Sequence, residues 1–175
     1  MQLFFYGTLL DPDVQSLVLG RVLGPRDLTP AVLRHFRRVY IAGRLYPMIL
    51  PHRGGAVKGT VATRLSKDDL ARLALYEGDG YRLERQTVFV TGADDRTAGD
   101  PLSIWLYRTR PTARPSTREW RLSAWQAKEK ASYLRDGRDW LASQLARRQA
   151  RRLRRSTVAQ GISPPSGRRP DRARR

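Results

Sequence analysis

Chemistry in this chain rests on a carboxyl and a backbone loop. Glu77 stands in Tyr76-Glu77-Gly78-Asp79-Gly80-Tyr81, where Leu73, Tyr76 and Tyr81 are near enough in sequence to take it out of water. A free glutamate has a pKa of about 4.3, too weak a base for work near neutrality, and burial raises it toward a useful range. A carboxyl tuned in this way can take a proton from one group and return it to another. The second piece is Tyr6-Gly7-Thr8-Leu9, directly behind the apolar run Leu3-Phe4-Phe5. Gly7 lets a ligand approach the main chain, and the N–H groups of Gly7, Thr8 and Leu9 are donors for a carboxylate or for charge developing on an attacked oxygen. Other chemistries are poorly served. The chain has no cysteine, and its two histidines, His35 and His52, are not at metal-ligand spacing. It also lacks the Gly-x-Ser-x-Gly elbow of serine hydrolases.

The elements that must carry these residues follow from local pattern. Leu3 to Phe5 predicts a strand, Asp11 and Pro12 the cap and first position of a short helix, and Gly20 its end. From Leu28 to Leu50, Pro30, Gly43 and Pro47 interrupt β-favouring residues, which predicts short strands joined by loops. Gly54-Gly55 predicts a turn, and the run 56–65, rich in Val and Thr, a sheet strand containing Gly59. Ser66 and Asp69 form a capping box for a helix that Gly78 ends, which puts Glu77 in its last turn. Two further strands are expected over 81–91 and 102–107, so strands outnumber helices.

The character of the chain changes after Arg110. Pro111 and Pro115 among Thr, Ser and Arg predict a linker at 111–116, which closes a domain of residues 1–110. Residues 117–150 carry Trp120, Trp125, Tyr133 and Trp140 without a proline, which predicts an amphipathic helical extension interrupted near Gly137. Residues 151–175 are arginine, small polar residues and proline, the composition of a disordered tail. The chain has 175 residues and a formal net charge of +18, of which residues 116–175 supply +12 from 17 basic against 5 acidic side chains. That balance predicts salt-sensitive attraction to phosphates or acidic partners through the C-terminal part. Thirty arginines to four lysines also fit a genome-wide composition bias. With no signal-peptide pattern and no long apolar stretch, the expectation is a soluble, cytoplasmic protein without a membrane span.

The ordered set of Tyr6-Gly7-Thr8-Leu9, Tyr46-Pro47, Gly59 and Tyr76-Glu77-Gly78-Asp79-Gly80-Tyr81 resembles the γ-glutamylcyclotransferase-like group, which includes the AIG2-like proteins and the γ-glutamylamine cyclotransferases. The resemblance spans about residues 2 to 108. It implies an α+β fold: a small mixed β-barrel with short helices, to which the C-terminal extension and basic tail are appended. It implies that Tyr6 to Leu9 hold the α-carboxylate and amine end of a γ-glutamyl group and that Glu77 is the acid/base. Tyr46 and Tyr81 are candidates for lining the pocket, with ordinary core tyrosines as the alternative. Tyr107 is a weaker lining candidate. Enzymes of this kind cyclise the γ-glutamyl group to 5-oxoproline and release an amine or amino acid, with neither metal nor organic cofactor expected. Such a substrate brings its own nucleophile, so the protein has to fold it and move protons. Two features depart from the pattern: Ala74 stands where relatives commonly place an aspartate, and Tyr81 is followed at once by Arg82. Some members of the group lack the acid. The rival expectation is therefore a non-catalytic binding module whose arginine-rich end engages nucleic acid or an acidic partner. Glu77 turned into a closed pocket beside the 6–9 loop favours the enzyme, and Glu77 in bulk solvent favours the module.

Overall fold

A computed structural model describes residues 1–91 and 99–159. Its elements begin with strand β1 (Leu3–Phe5), a 3-10 turn (Thr8–Leu10) and helix α1 (Pro12–Leu19). Two long strands follow, β2 (Leu28–Ile41) and β3 (Pro47–Ala62), then helix α2 (Lys67–Glu77) and a 3-10 turn (Gly78–Gly80). Strands β4 (Tyr81–Val90), β5 (Pro101–Thr109) and β6 (Pro115–Glu119) precede helices α3 (Leu122–Lys128) and α4 (Lys130–Ala159). The chain forms two compact units, Met1–Leu141 and Ala142–Arg175. The first holds the barrel and everything described below.

The strands close on themselves in the order β3-β1-β5-β4-β2, with β2 returning to β3. The result is a five-stranded mixed barrel with four helices, and closure leaves no free edge among these strands. β1 runs parallel to β5 through Leu3 and Trp105, whereas the other barrel pairings are antiparallel. Because side chains alternate along β1, Phe4 and Tyr6 fill the barrel with Leu33, Val57, Val61 and Leu106. Leu3 and Phe5 face outward into a second core with Val14, Leu73, Trp120 and Trp125, which the helices cover.

Local signals set the helix ends. Asp11 caps α1 by accepting from the N–H groups of Asp13 (2.9 Å) and Val14 (3.3 Å), and Gly20 ends it at φ 75°. The capping box of α2 is complete: Ser66 accepts from the Asp69 N–H, and the Asp69 carboxylate accepts from the Ser66 N–H. Gly59 is a packing residue, since a Cβ there would lie 2.2 Å from the Phe5 carbonyl oxygen and 2.5 Å from Phe4 Cζ.

Several expectations need correction. Residues 28–62 form two long antiparallel strands, not several short ones, because the interruption is absorbed as a bulge. Register shifts between Arg34 and Phe36, where His35 (φ 64°) and Gly54 (φ 77°) turn through the left-handed region. Residues 111–116 are not a linker. Pro111–Ala113 makes a turn closed by the Ala113 N–H on the Arg110 carbonyl at 3.0 Å, and Pro115 opens β6, which pairs with β2 through Val39 and Glu119. Trp120 and Trp125 beyond it are both fully buried, so this part of the expected extension is domain core. Nor does Gly137 break the helix: α3 and α4 part at Glu129, and a Cβ on Gly137 would lie 3.1 Å from Leu17 Cδ2, so the small residue lets α4 approach α1. Helix α4 continues to Ala159, into the segment for which disorder was expected, and the remaining tail, 160–175, lies outside the described residues.

Candidate active site

A pocket of about 550 Å³ opens at one end of the barrel. The 6–9 loop forms one wall and the turn between β2 and β3 (Gly43 to Pro47) a second. The end of α2 with the start of β4 forms a third, and α4 the fourth. Each wall is placed by a feature already described. β1 delivers the loop from the barrel, and Gly7 fits because a Cβ there would already sit 3.1 Å from Pro47 Cγ. The Thr8–Leu10 turn returns to Gly7 and Thr8 through the N–H groups of Leu10 (3.0 Å) and Asp11 (2.9 Å). As the first amides of that turn, Thr8 and Leu9 have no intrahelical acceptors.

Glu77 ends α2 and faces the pocket. Its residue surface counts as half-buried because one side meets the lumen, while protein encloses the carboxyl on the others. Burial pushes its pKa up to about 8, with no cation paired to it among the described residues. The groups around it are tyrosines. Burial, and then the Glu77 charge, raise the Tyr6 hydroxyl, and they push Tyr107 up to about 12. Burial raises Tyr81 as well, followed by Tyr6 and Glu77. These phenols therefore stay protonated near neutrality.

Every residue expected at the site lines this one pocket: Tyr6, Gly7, Thr8 and Leu9, together with Tyr46, Glu77 and Tyr81, and Tyr107 as well. Their hydroxyls differ in availability. Tyr6 donates to the Tyr107 carbonyl at 2.6 Å and Tyr81 to the Pro47 carbonyl at 3.3 Å, so both act as walls braced by the backbone. Ala74 is exposed on α2, and its carbonyl accepts from the Gly78 N–H that ends the helix.

Sequence reasoning missed the fourth wall. Tyr133, Gly137 and Trp140 of α4 line the pocket, as does Asp136. Tyr133 meets Tyr46 edge-on with ring centroids 6.4 Å apart, and meets Trp125 at 5.3 Å. Its hydroxyl bonds that of Tyr76, which in turn bonds Thr8 Oγ1 at 2.9 Å. A signal for this wall did exist, because Tyr133, Gly137 and Trp140 fall at i, i+4 and i+7 on one helical face. The α1 cap binds the same segment: Gln126 Nε2 and Lys130 Nζ each lie 2.8 Å from Asp11 Oδ2. Burial alone would raise the Asp11 pKa, but these partners and the Asp13 N–H outweigh it and hold the carboxyl below its ordinary value.

The fold is a closed mixed barrel, and its pocket sets Glu77 beside a backbone-lined loop. The profile of the family described as "Gamma-glutamyl cyclotransferase, AIG2-like" matches residues 3–127, and the chain belongs to that family. The match runs past the expected limit near residue 108 and includes the buried Trp120 and Trp125. AIG2-like protein A of Arabidopsis thaliana is 32% identical over 132 residues, which is 75% of each chain. The Arabidopsis protein AIG2 C is 37% identical over 92 residues, or 53% of each chain. The solution structure of another Arabidopsis protein superposes with a TM-score of 0.55 at 28% identity, covering 77% of this chain and 86% of that one.

Proposed function

We propose that the chain is a γ-glutamylcyclotransferase, with Glu77 as its acid/base and the Tyr6 to Leu9 loop as its substrate cradle. The observation that carries this reading is the enclosure of Glu77 in the pocket beside that loop, which favours the enzyme over the binding module. An α-amino group has an ordinary pKa of about 8, and Glu77 is raised to about 8, so proton transfer between them is nearly balanced.

The reaction follows from these positions. With the γ-glutamyl chain folded back on itself, Glu77 takes a proton from the α-ammonium, and the freed nitrogen attacks the side-chain carbonyl carbon. The carbonyl oxygen takes up the electron pair, and the amides at the start of the Thr8–Leu10 turn, with Gly7, are the donors near the reacting end. As the intermediate collapses, Glu77 returns that proton to the leaving nitrogen and the C–N bond breaks; the ionised Glu77 then takes the second proton from the new ring nitrogen and passes it to the departing amine, which leaves as its ammonium. The products are 5-oxoproline and a free amine or amino acid. Holding the chain bent contributes several kcal/mol of effective concentration.

A panel of γ-glutamyl dipeptides, glutathione and γ-glutamylamines tests the proposal by 5-oxoproline release. Wild type releases it from at least one member, whereas Glu77→Gln, with the fold retained, releases none. Equal rates in the two proteins would refute the assignment.

A further inference from the structure

Three residues that line the pocket, each from a separate element, join their hydroxyls. They are Thr8 of the substrate loop, Tyr76 of α2 and Tyr133 of α4. Thr8 Oγ1 and Tyr76 Oη lie 2.9 Å apart, Tyr76 bonds Tyr133, and Tyr133 also feels the Thr8 hydroxyl. Each hydroxyl carries one proton and can accept two. Three of them can keep their protons within the cluster or turn one outward to a ligand, and an anion is the ligand that makes turning outward favourable. Burial raises both phenols above their ordinary value, so they remain donors near neutrality.

The rest of the pocket leaves an anion few alternatives. Among the described residues that line it, the sole cation is Arg44, exposed in the turn between β2 and β3. Glu77 is itself acidic and repels a carboxylate. A γ-glutamyl end carries an α-carboxylate that must be desolvated when it enters, and burying it unpaired is expensive. Neutral donors beside the loop amides are what the pocket offers.

We propose that the Thr8–Tyr76–Tyr133 hydroxyl cluster binds the α-carboxylate of the γ-glutamyl end, which makes Tyr133, on the C-terminal helix, a substrate-binding residue. The inference rests on the cyclotransferase reading of the same pocket. It also divides the labour at the site: the hydroxyls hold the carboxylate in both ground and transition states, the loop amides are left to the carbonyl oxygen, and Glu77 moves the protons. A contact made equally in both states changes KM and leaves kcat alone.

Two probes differ only in the carboxylate. 5-Oxoproline carries it and 2-pyrrolidinone lacks it, and calorimetry reads binding of each to the full chain without any need for turnover. Wild type prefers 5-oxoproline. Removing a hydrogen bond to a charged group weakens binding by about tenfold or more, so Tyr133→Phe loses that factor for 5-oxoproline and nothing for 2-pyrrolidinone. Thr8→Val gives the same pattern from another element, which covers a folding defect in either variant. In turnover, Tyr133→Phe raises KM for a γ-glutamyl substrate about tenfold with kcat within twofold. Equal loss for both probes, no loss for either, no wild-type preference for 5-oxoproline, or a fall in kcat at unchanged KM would each overturn the proposal. The two readings fail separately. A chain that prefers 5-oxoproline but releases none from any substrate refutes the activity alone; release of 5-oxoproline with an unchanged Tyr133→Phe refutes the carboxylate site alone.

Discussion

At the scale of single residues the pocket depends on a carboxyl kept away from water, which leaves two signatures. On the proposed mechanism Glu77 must be ionised while the substrate amine still carries its proton, so kcat/KM climbs with pH to a maximum near pH 8, the value to which burial raises this group, and falls beyond it. Stability runs the opposite way. Between the ordinary value of 4.5 and about 8 the folded state holds a proton that the unfolded state has released, so stability falls as pH rises through that window. Glu77→Gln cannot ionise. Its melting temperature should match wild type near pH 4, exceed it increasingly toward pH 8, and keep a constant lead above that; parallel pH curves for the two proteins would mean that the carboxyl is solvated. Asp11 behaves as the ordinary case. Its folded value is lowered, so its contribution to stability is present above pH 3.8 and disappears as pH falls through the lower folded value. Asp11→Ala removes a helix cap, strands Gln126 and leaves Lys130 with Asp13 alone, at a cost of about 1–3 kcal/mol in denaturant titrations near neutrality.

At the scale of elements, helix termini were the most legible part of the sequence. The Asp11-Pro12 start, the Gly20 stop and the Ser66/Asp69 box act through contacts a few residues apart, and a sequence displays such contacts directly. The long pair β2–β3 was obscured because prolines and glycines that usually end strands are accommodated by one bulge, a tolerance decided by partners in the other strand. Tyr133 and Trp140 were hidden for a related reason. An aromatic face on a helix reads as packing surface, and only the path of the chain through β6 turns part of it toward the 6–9 loop. Gly59 reads as part of the site but belongs to the barrel's packing. Gly59→Ala forces a methyl against the Phe5 backbone, where little can yield, and should cost about 1–3 kcal/mol or more in chemical unfolding. An unchanged midpoint would mean that β1 and β3 can separate freely.

At the scale of the whole molecule, the boundary that matters falls near Leu141. A chain cut after residue 112 loses Trp120 and Trp125, each worth about 3–5 kcal/mol as a buried aromatic, and should fail to show a cooperative thermal transition. A chain cut after residue 141 keeps every residue that lines the pocket and should release 5-oxoproline at the wild-type rate. That cut removes eleven arginines against one aspartate, +10 of the +18, so it also asks whether the charge serves the chemistry. Among the described residues no helix is long and apolar enough to cross a membrane. The parallel pairing of β1 with β5 has a consequence for how the chain is made. A ribosome delivers Leu3 to Phe5 first, yet one partner of that strand arrives with Trp105, and the Asp11 carboxylate meets Lys130 later still. Until β5 has been made, the nascent chain therefore presents an apolar β1 with one side unpaired, and the barrel closes only after that. Slow, non-local closure of this kind is when nascent-chain chaperones have the longest time to act.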